Sequence, residues 1–226
     1  MPIFGASSAL KIGTLLVKIF SPGPSHPTFM RLFLGLPIPS ELAQALTRLT
    51  RAIELPKGRH TAPENLHLTL VFLGEVAEPT LPLIEHELSK LNFAPLQLKL
   101  TSLNTFPRAS VLLAEVEPTR PILHLQAKVA ASMARCGFAP EDPEVHPYHP
   151  HITLARFHGP LRLSQSQHTL PPSFQRSFTA DTVNLYRSHL TPTGAHYEVL
   201  AQKRSSKPNQ PITHPDPIPK TGKPKK

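Results

Sequence analysis

The sequence predicts an α+β or mixed α/β fold made of two similar halves. Strand-like stretches alternate with amphipathic helical stretches, and some neighbouring strands lie close enough in the chain to form hairpins. One short pattern, His-apolar-Thr-apolar, occurs twice, at residues 67–70 (HLTL) and 151–154 (HITL). The two copies lie 84 residues apart. This distance is too long for a tandem solenoid repeat and suits two half-domains.

The chain begins its first half with a strand and a helix. Residues 30–36 (MRLFLGL) form a short apolar run that Pro37 and Pro39 end, so they predict the first strand. Ser40 is a suitable N-cap, and apolar residues then recur at helical spacing over residues 40–53. We therefore expect an amphipathic helix directly after the first strand.

The rest of the chain continues the alternation of strands and helices. The stretch LQLKLTSL alternates with period two, which is typical of a strand with one buried face, and NTFPRAS after it is a loop pattern. Gly137 is well placed to end the helix that is predicted over residues 120–136. In chain order, the predicted elements are the first His-Thr strand closing at Gly74, a helix over 79–91, strands over 96–103 and 111–116, a helix over 120–136, the second His-Thr strand, and strands over 179–187 and 195–201 joined by a turn at 188–194.

The two ends of the chain differ from its middle in composition. Residues 30–202 form the predicted domain. Residues 1–29 hold one apolar stretch that is too short and too charged to span a bilayer. We expect this extension to be disordered, or an over-long start with Met30 as the true first residue. Residues 203–226 consist largely of Lys, Pro, Ser and Thr and predict a basic, disordered tail.

The formal charge of +9 belongs to the ends of the chain. Residues 203–226 carry a net charge of +6 and residues 1–29 carry +2, whereas residues 30–202 carry +1. The middle therefore shows no broad basic groove for nucleic acid, and any RNA contact must rest on local chemistry. The tail can add only weak, salt-dependent attraction to nucleic acid.

Absent motifs exclude several classes of protein. The sequence has no GxGxxG or Walker pattern, so neither a dinucleotide site nor a phosphate-binding P-loop is indicated. Cys136 is the single cysteine, which excludes an intramolecular disulfide and fits a reducing compartment. We expect a cytoplasmic protein with no membrane segment and no obligatory protein partner.

The two tetrads are the candidate catalytic site. Residues i and i+2 of a strand share a face, so His67 and Thr69 project together, and so do His151 and Thr153. Imidazole titrates nearest to physiological pH, so one histidine can accept a proton while the other donates one. Threonine hydroxyls can donate hydrogen bonds to anionic oxygens. With no Ser or Cys nucleophile beside either histidine, the four side chains fit acid–base attack at phosphorus.

Histidines in this chain could also have roles apart from catalysis. A single histidine on a strand is usually structural, and only the repetition favours a catalytic role. The cluster of His146, His149 and His151 invites a zinc site, but the prolines between them make the spacing irregular, so we expect no metal and no other cofactor. His149 and Tyr148 are candidates for contact with a base at the cleft rim. Phe72 has core-facing parity and is predicted to pack in the core.

Five segments of the chain carry a resemblance to a known family. They are RLFLGLPIP, PENLHLTLVFLGEV, NTFPRASVLLAEV, GFAPEDPEVHPYHPHITLAR and VNLYRSHLTPTGAHYEVL, and they span about residues 31–200. The chain resembles the two-histidine phosphoesterases and more closely the RNA 2′,3′-cyclic phosphodiesterases, also called 2′-5′ RNA ligases. The resemblance implies a bilobal α+β fold with pseudo-twofold related halves around a central cleft. It also implies hydrolysis of RNA 2′,3′-cyclic phosphate ends to 2′-phosphates without metal or ATP.

The resemblance also implies a role for each site residue. By motif position, His67 matches the proton donor and His151 the proton acceptor, while Thr69 and Thr153 match hydroxyls that contact phosphate. Arg156, five residues after His151, matches an arginine linked to phosphate binding. Its parity is that of the core-facing residues, so a bulge, the end of the strand or its long side chain must bring the guanidinium to the cleft.

Three alternatives stay open at this point. A 5′-hydroxyl could replace water as the nucleophile and give a reversible 2′-5′ RNA ligation. The same fold could serve as a non-catalytic module that binds nucleotides or RNA ends. The substrate could also be another cyclic or 2′-5′ linked nucleotide, because the tetrads do not set substrate choice.

Overall fold

The protein combines strands and helices in the order that the sequence predicts. A computed structural model describes residues 28–54, 56–106, 110–139, 147–159, 161–174, 176–191 and 194–206. Within these ranges the elements are β1 (Phe29–Pro37), α1 (Ser40–Arg51), β2 (Gly58–His60), β3 (His67–Ala77), α2 (Leu81–Ser89), β4 (Leu96–Phe106), β5 (Val111–Val116), α3 (Arg120–Ala134), β6 (His151–Phe157), α4 (Gln165–His168), β7 (Ser177–Ala180), β8 (Thr182–Thr191) and β9 (Gly194–Arg204).

The strands join one sheet in two matching lobes. The order is β7-β4-β5-β6-β3-β1-β8-β9, with β2 alongside β6. β3 and β6 meet at the centre through one residue pair, Leu68 and Ile152. In one lobe β6 pairs with β5, and β4 follows β5. In the other lobe β3 pairs with β1, and β8 follows β1. This arrangement confirms the predicted α+β fold with two related halves.

Helices α1 and α3 occupy equivalent places in the two lobes. α1 connects β1 to β3, and α3 connects β5 to β6. The buried stripe of α1 includes Leu42 and Leu46, that of α3 includes Ile122 and Val129, and both join one hydrophobic core. Each fully buried aliphatic side chain contributes about 1.5–3 kcal/mol to folding. The core therefore holds β3 and β6 firmly in their central positions.

The strand predicted over residues 179–187 is two strands. β7 ends at Ala180 and β8 begins at Thr182, so the chain changes partners around Asp181. β7 pairs with β4, whereas β8 pairs with β1 in the other lobe. An apolar pattern records burial and not the pairing partner, so the sequence did not reveal the break.

The first His-Thr strand is longer than predicted. β3 passes Gly74 and ends at Ala77. Gly74 has φ of 71° and pairs with Leu32 beside an irregularity in the ladder. The glycine therefore accommodates a bulge within the strand and does not end it, so this predicted boundary is wrong.

Of the two predicted helix ends, the cap at Ser40 is wrong and the terminator at Gly137 is confirmed. Ser40 is the first residue of α1 and makes no capping hydrogen bond, with Pro39 in the N-cap position. Gly137, with φ of 92°, follows α3, and its N–H donates to the carbonyl of Ala134 at 3.0 Å, which confirms it as the terminator. The short elements β2 and α4 were not predicted.

The last strand extends beyond the predicted domain. Lys203 and Arg204 pair with Val183 and Thr182 at the end of β9, so a domain boundary at residue 202 falls inside a strand. Residues 1–27 and 207–226 lie outside the described residues. In the part that is described, no helix is long and apolar enough to cross a membrane.

Candidate active site

The central contact between β3 and β6 brings the two tetrads together. These strands are antiparallel, so the register of their one residue pair sets His67 opposite Thr153 and Thr69 opposite His151. Side chains directly opposite each other on one face have Cβ atoms about 4.5–5.5 Å apart. All four are partly exposed, while the aliphatic residues between them are buried. The structure thus gathers the four predicted side chains on one face at the junction of the lobes.

Both histidines are held by the same backbone contact. Nδ1 of His67 lies 2.7 Å from the carbonyl oxygen of Asn65, and Nδ1 of His151 lies 2.7 Å from that of His149. A carbonyl only accepts, so Nδ1 carries the hydrogen in both rings. Nε2 is then the nitrogen that can accept or donate a proton at the cleft.

His67 lies against an aromatic wall. Its ring centroid is 4.6 Å from that of Phe33, 5.0 Å from that of Tyr197 and 5.7 Å from that of Tyr186. Burial lowers the pKa of His67 to about 4, and the positive charge of Arg156 acts in the same direction. Without a bound anion, His67 is therefore neutral at physiological pH.

His151 has polar neighbours. Beside it, His149 Nε2 lies 3.4 Å from Glu115, whose carboxylate accepts hydrogen bonds from Asn104 and Ser102. Burial alone would raise the pKa of Glu115, but these hydrogen bonds hold it below its usual value. Burial also lowers the pKa of His151. The two histidines thus share a tautomer but differ in surroundings, with aromatic rings around one and a carboxylate network beside the other.

A bulge turns Arg156 toward the cleft. The ladder between β5 and β6 skips Leu154, so that Thr153 and Ala155 pair with consecutive residues of β5. The extra residue reverses the parity of the strand beyond it. The exposed side chain of Arg156 therefore lies on the face of Thr153. Of the three routes that the sequence allows, the bulge is the one that brings Arg156 to the predicted site.

A matching bulge corrects the prediction for Phe72. β3 has an extra residue at Leu70, and Phe72 follows His67 by the same five residues that separate Arg156 from the other histidine. Phe72 is 70 % exposed, and its ring centroid is 6.0 Å from that of Phe33 on the cleft wall. Core packing was predicted by counting parity through the bulge and is wrong. An exposed aromatic ring here is a surface on which a base can stack.

The segment before β6 forms a hydrogen bond to the other lobe. Tyr148 donates a hydrogen bond from its hydroxyl to the carbonyl of Thr69 at 2.8 Å, and burial raises its pKa. Tyr148 is thus occupied in fixing the first tetrad, and only His149 of the two rim candidates is exposed for contact with a base. His146 lies outside the described residues. Among those that are described, no group of three or more His, Cys, Asp or Glu side chains could hold a metal ion.

Gly35 makes room for the first tetrad, and a larger residue there is expected to impair catalysis. It pairs with Thr69 across β1 and β3, and an added Cβ would lie 2.8 Å from the carbonyl oxygen of Leu68 and 3.5 Å from Cδ2 of His67. We expect Gly35→Ala to shift the β3 backbone and to lower kcat about 10²-fold, as a misplacement of about 1 Å can do.

A lower kcat of Gly35→Ala could come from lower stability of the fold or from displacement of His67, and the test must separate the two. Ile84→Val, in the buried face of α2, removes about 0.5–1.5 kcal/mol of stability without touching the cleft. Thermal unfolding and kcat measured for both variants distinguish the effects. A Gly35→Ala protein with the kcat of Ile84→Val would show that this close approach does not position His67.

Comparisons with known proteins agree with this geometry. The sequence profile of the 2′-5′ RNA ligase superfamily matches residues 38–192. The RNA 2′,3′-cyclic phosphodiesterase of Escherichia coli is 31% identical over 75% of this chain and 93% of its own. That of Methanocaldococcus jannaschii is 26% identical over 76% of this chain and 99% of its own. The crystal structure of E. coli LigT complexed with 3′-AMP superposes with a TM-score of 0.68 at 26% identity, covering 79% of this chain and 99% of LigT.

Two lobes that each contribute a His-x-Thr pair to a shared cleft define a two-histidine phosphoesterase. The chain belongs to the 2′-5′ RNA ligase superfamily, whose profile covers more than half of its length.

Proposed function

We propose that this protein hydrolyses RNA 2′,3′-cyclic phosphate ends to 2′-phosphates by metal-independent acid–base catalysis with two histidines. The observation that carries the proposal is the pair of imidazoles from opposite lobes, each with Nδ1 bonded to a carbonyl and Nε2 left for proton transfer. Relatives that cover most of the chain are named RNA 2′,3′-cyclic phosphodiesterases, which supports the same reaction here. The same displacement with a 5′-hydroxyl in place of water forms the bond from the 5′ oxygen to phosphorus, releases the 3′ oxygen and would join RNA ends through a 2′-5′ linkage.

Each step of the proposed reaction has an assigned group. Neutral His151 accepts a proton from water through Nε2 as the water oxygen bonds to phosphorus. The bond from phosphorus to the 3′ oxygen breaks, and protonated His67 gives its proton to that oxygen. Thr69, Thr153 and Arg156 stabilise the negative charge on the phosphoryl oxygens. Each proton transfer contributes about 10²–10⁴ in rate.

The surroundings of His67 disfavour its protonated form, so His67 becomes protonated only when an anionic substrate is bound. Its pKa of about 4 in the free protein leaves it neutral at pH 7. An anionic phosphate within hydrogen-bonding distance favours the charged imidazole and raises this pKa. Binding of the cyclic phosphate therefore favours protonation of His67. The protonated imidazole then gives its proton to the leaving oxygen readily, because the surroundings of His67 disfavour a positive charge on the ring.

The pH profile of kcat/KM should be a bell centred below pH 6.5. Burial lowers the pKa values of both histidines in the free protein. Above both values the donor is uncharged, and below both the acceptor is charged, so activity falls on each side. The profile of kcat reports the bound state and should lie at higher pH, because the phosphate favours protonation. A kcat/KM bell centred above pH 6.5 would contradict these assignments.

Product analysis tests the proposed function. The full chain is incubated with RNA that ends in a 2′,3′-cyclic phosphate, with and without EDTA, and the product is identified by its phosphate position. We expect a 2′-monophosphate at the same rate in both samples. Binding without turnover would favour a non-catalytic module, and loss on chelation with recovery by zinc would favour a metal enzyme. Turnover of only other cyclic or 2′-5′ linked nucleotides would assign a different substrate.

We place the reaction in the cytoplasm. The single cysteine, Cys136, is free and buried, which suits a reducing compartment.

A further inference from the structure

A basic pocket adjoins the cleft beyond the second tetrad. It has a volume of about 580 Å³ and lies between β2, the end of β6 and the start of β9. Its basic lining consists of Lys57, Arg59, Arg156, His60 and His158, and none of the described residues that line it is a carboxylic acid. Ligand sites commonly have about 300–1,000 Å³, so the pocket can hold part of a nucleotide. Its charge fits an anion.

Two of the cations are held opposite each other. Arg59 and Arg156 are direct partners in the ladder between β2 and β6, so their side chains leave the sheet on the same face. Guanidinium groups match phosphate geometry well, so two of them on one face can both contact one phosphate.

The walls of the pocket are fixed by hydrogen bonds. The N–H of Thr61 donates to the carbonyl of Leu154 at 2.8 Å, which ties the end of β2 to the bulge of β6. Asn65 donates from Nδ2 to the carbonyl of Ala195 at 2.8 Å, which ties the start of β9 to the segment that carries His67. The site is therefore formed before any ligand binds.

The pocket is continuous with the catalytic cleft. Arg156 and Tyr197 line the pocket, and Tyr197 also packs its ring against His67. A phosphate in the pocket would consequently be a near neighbour of the reacting phosphate. In RNA that ends in a cyclic phosphate, the nearest other phosphate is the one on the 5′ oxygen of the terminal nucleotide.

We propose that the pocket formed by Lys57, Arg59 and Arg156 binds this 5′-phosphate, so that the enzyme prefers RNA ends over free nucleoside 2′,3′-cyclic phosphates. This inference rests on the proposed function and adds a substrate preference to it. It also explains how a domain with a net charge close to zero can bind RNA, because the basic side chains that would contact the phosphate lie together in one pocket.

Three substrates with the same terminal base test the proposal. They are a nucleoside 2′,3′-cyclic phosphate, the same compound with a 5′-phosphate, and a dinucleotide with a cyclic end. The readout is the ratio of kcat/KM for each phosphate-bearing substrate to that of the first. For the wild-type protein we expect a ratio of about 10 or more, as hydrogen bonds to charged groups provide.

Two pocket variants and a matched control locate the effect. Arg59→Gln and Lys57→Gln should each lower this ratio about tenfold and weaken its dependence on salt. Arg120→Gln, which removes an exposed cation at the start of α3, should leave the ratio unchanged. An equal gain for the two phosphate-bearing substrates supports recognition of the phosphate itself, and a gain confined to the dinucleotide supports recognition of the diester.

The outcomes that overturn the inference differ from those that overturn the function. A wild-type ratio near one, or an equal fall in Arg59→Gln and Arg120→Gln, would rule out the pocket as a phosphate site while hydrolysis continued. Failure of the wild-type protein to hydrolyse any of the three substrates would instead overturn the proposed function, and this inference with it.

Discussion

Replacing His151 or His67 by alanine is expected to lower kcat for cyclic phosphate hydrolysis about 10²–10⁴-fold in each case. In the proposed mechanism, the loss of His151 removes the group that accepts a proton from water, and the loss of His67 removes the one that protonates the leaving oxygen. Steady-state rates with a saturating RNA end measure the effect. KM should change less than kcat, because the threonines and Arg156, which we propose contact the phosphate, are still present.

Controls make this prediction specific to the paired site. His124→Ala changes an exposed histidine of α3 and should leave kcat unchanged. The double variant of His67 and His151 should lose less than the product of the two single losses, because the proposed mechanism uses both groups in one concerted step. Wild-type turnover in either single variant would remove the assigned residue from the mechanism.

Arg156→Ala should lower kcat about 10²–10³-fold, as the loss of one positioned donor to a developing oxyanion does in other enzymes. The bulge at Leu154 puts this guanidinium on the face of the His and Thr side chains of the tetrads. Arg156→Lys keeps the charge but loses the planar fork, so it should recover part of the rate.

Arg162→Ala is the matched control for this change, because it removes an exposed arginine that follows β6. Rates and thermal unfolding of the three variants should be measured together. If the alanine variants at positions 156 and 162 had equal activity, charge stabilisation by Arg156 would be excluded.

The parts of the site that depend on local pattern were predictable from the sequence. A strand has a period of two, so the shared face of His67 and Thr69, and that of His151 and Thr153, followed from spacing alone. The pairing of the two lobes followed from the repetition of the tetrad. These features do not require knowledge of the partner strands.

The parts that depend on partner strands were not predictable in the same way. Phe72 and Arg156 reach the cleft because β1 leaves Leu70 unpaired and β5 leaves Leu154 unpaired, and a bulge is a property of the pair. The aromatic wall that lowers the pKa of His67 comes from β1, β8 and β9, which are distant in the chain. Gly35 did give a local signal, because a glycine inside a strand pattern often marks a close approach of backbone.

The basic pocket shows why total charge was a poor guide to RNA contact. Residues 30–202 carry a net charge of only +1. Folding nevertheless sets Arg59 opposite Arg156 through the pairing of β2 with β6, and β2 was too short to be predicted. Local charge at the cleft therefore depends on a strand pairing that composition does not report.

Replacement of the leaving oxygen by sulfur tests the central claim most directly. A cyclic substrate with sulfur in place of the bridging 3′ oxygen has a leaving group that departs without a proton, because a thiolate is a much weaker base than an alkoxide. We expect His67→Ala to hydrolyse this substrate at close to the wild-type rate, whereas His151→Ala should remain about 10²–10⁴-fold slower. Equal losses in both variants, or rescue of His151→Ala alone, would contradict the assignment of the two histidines as proton donor and acceptor at one phosphorus atom.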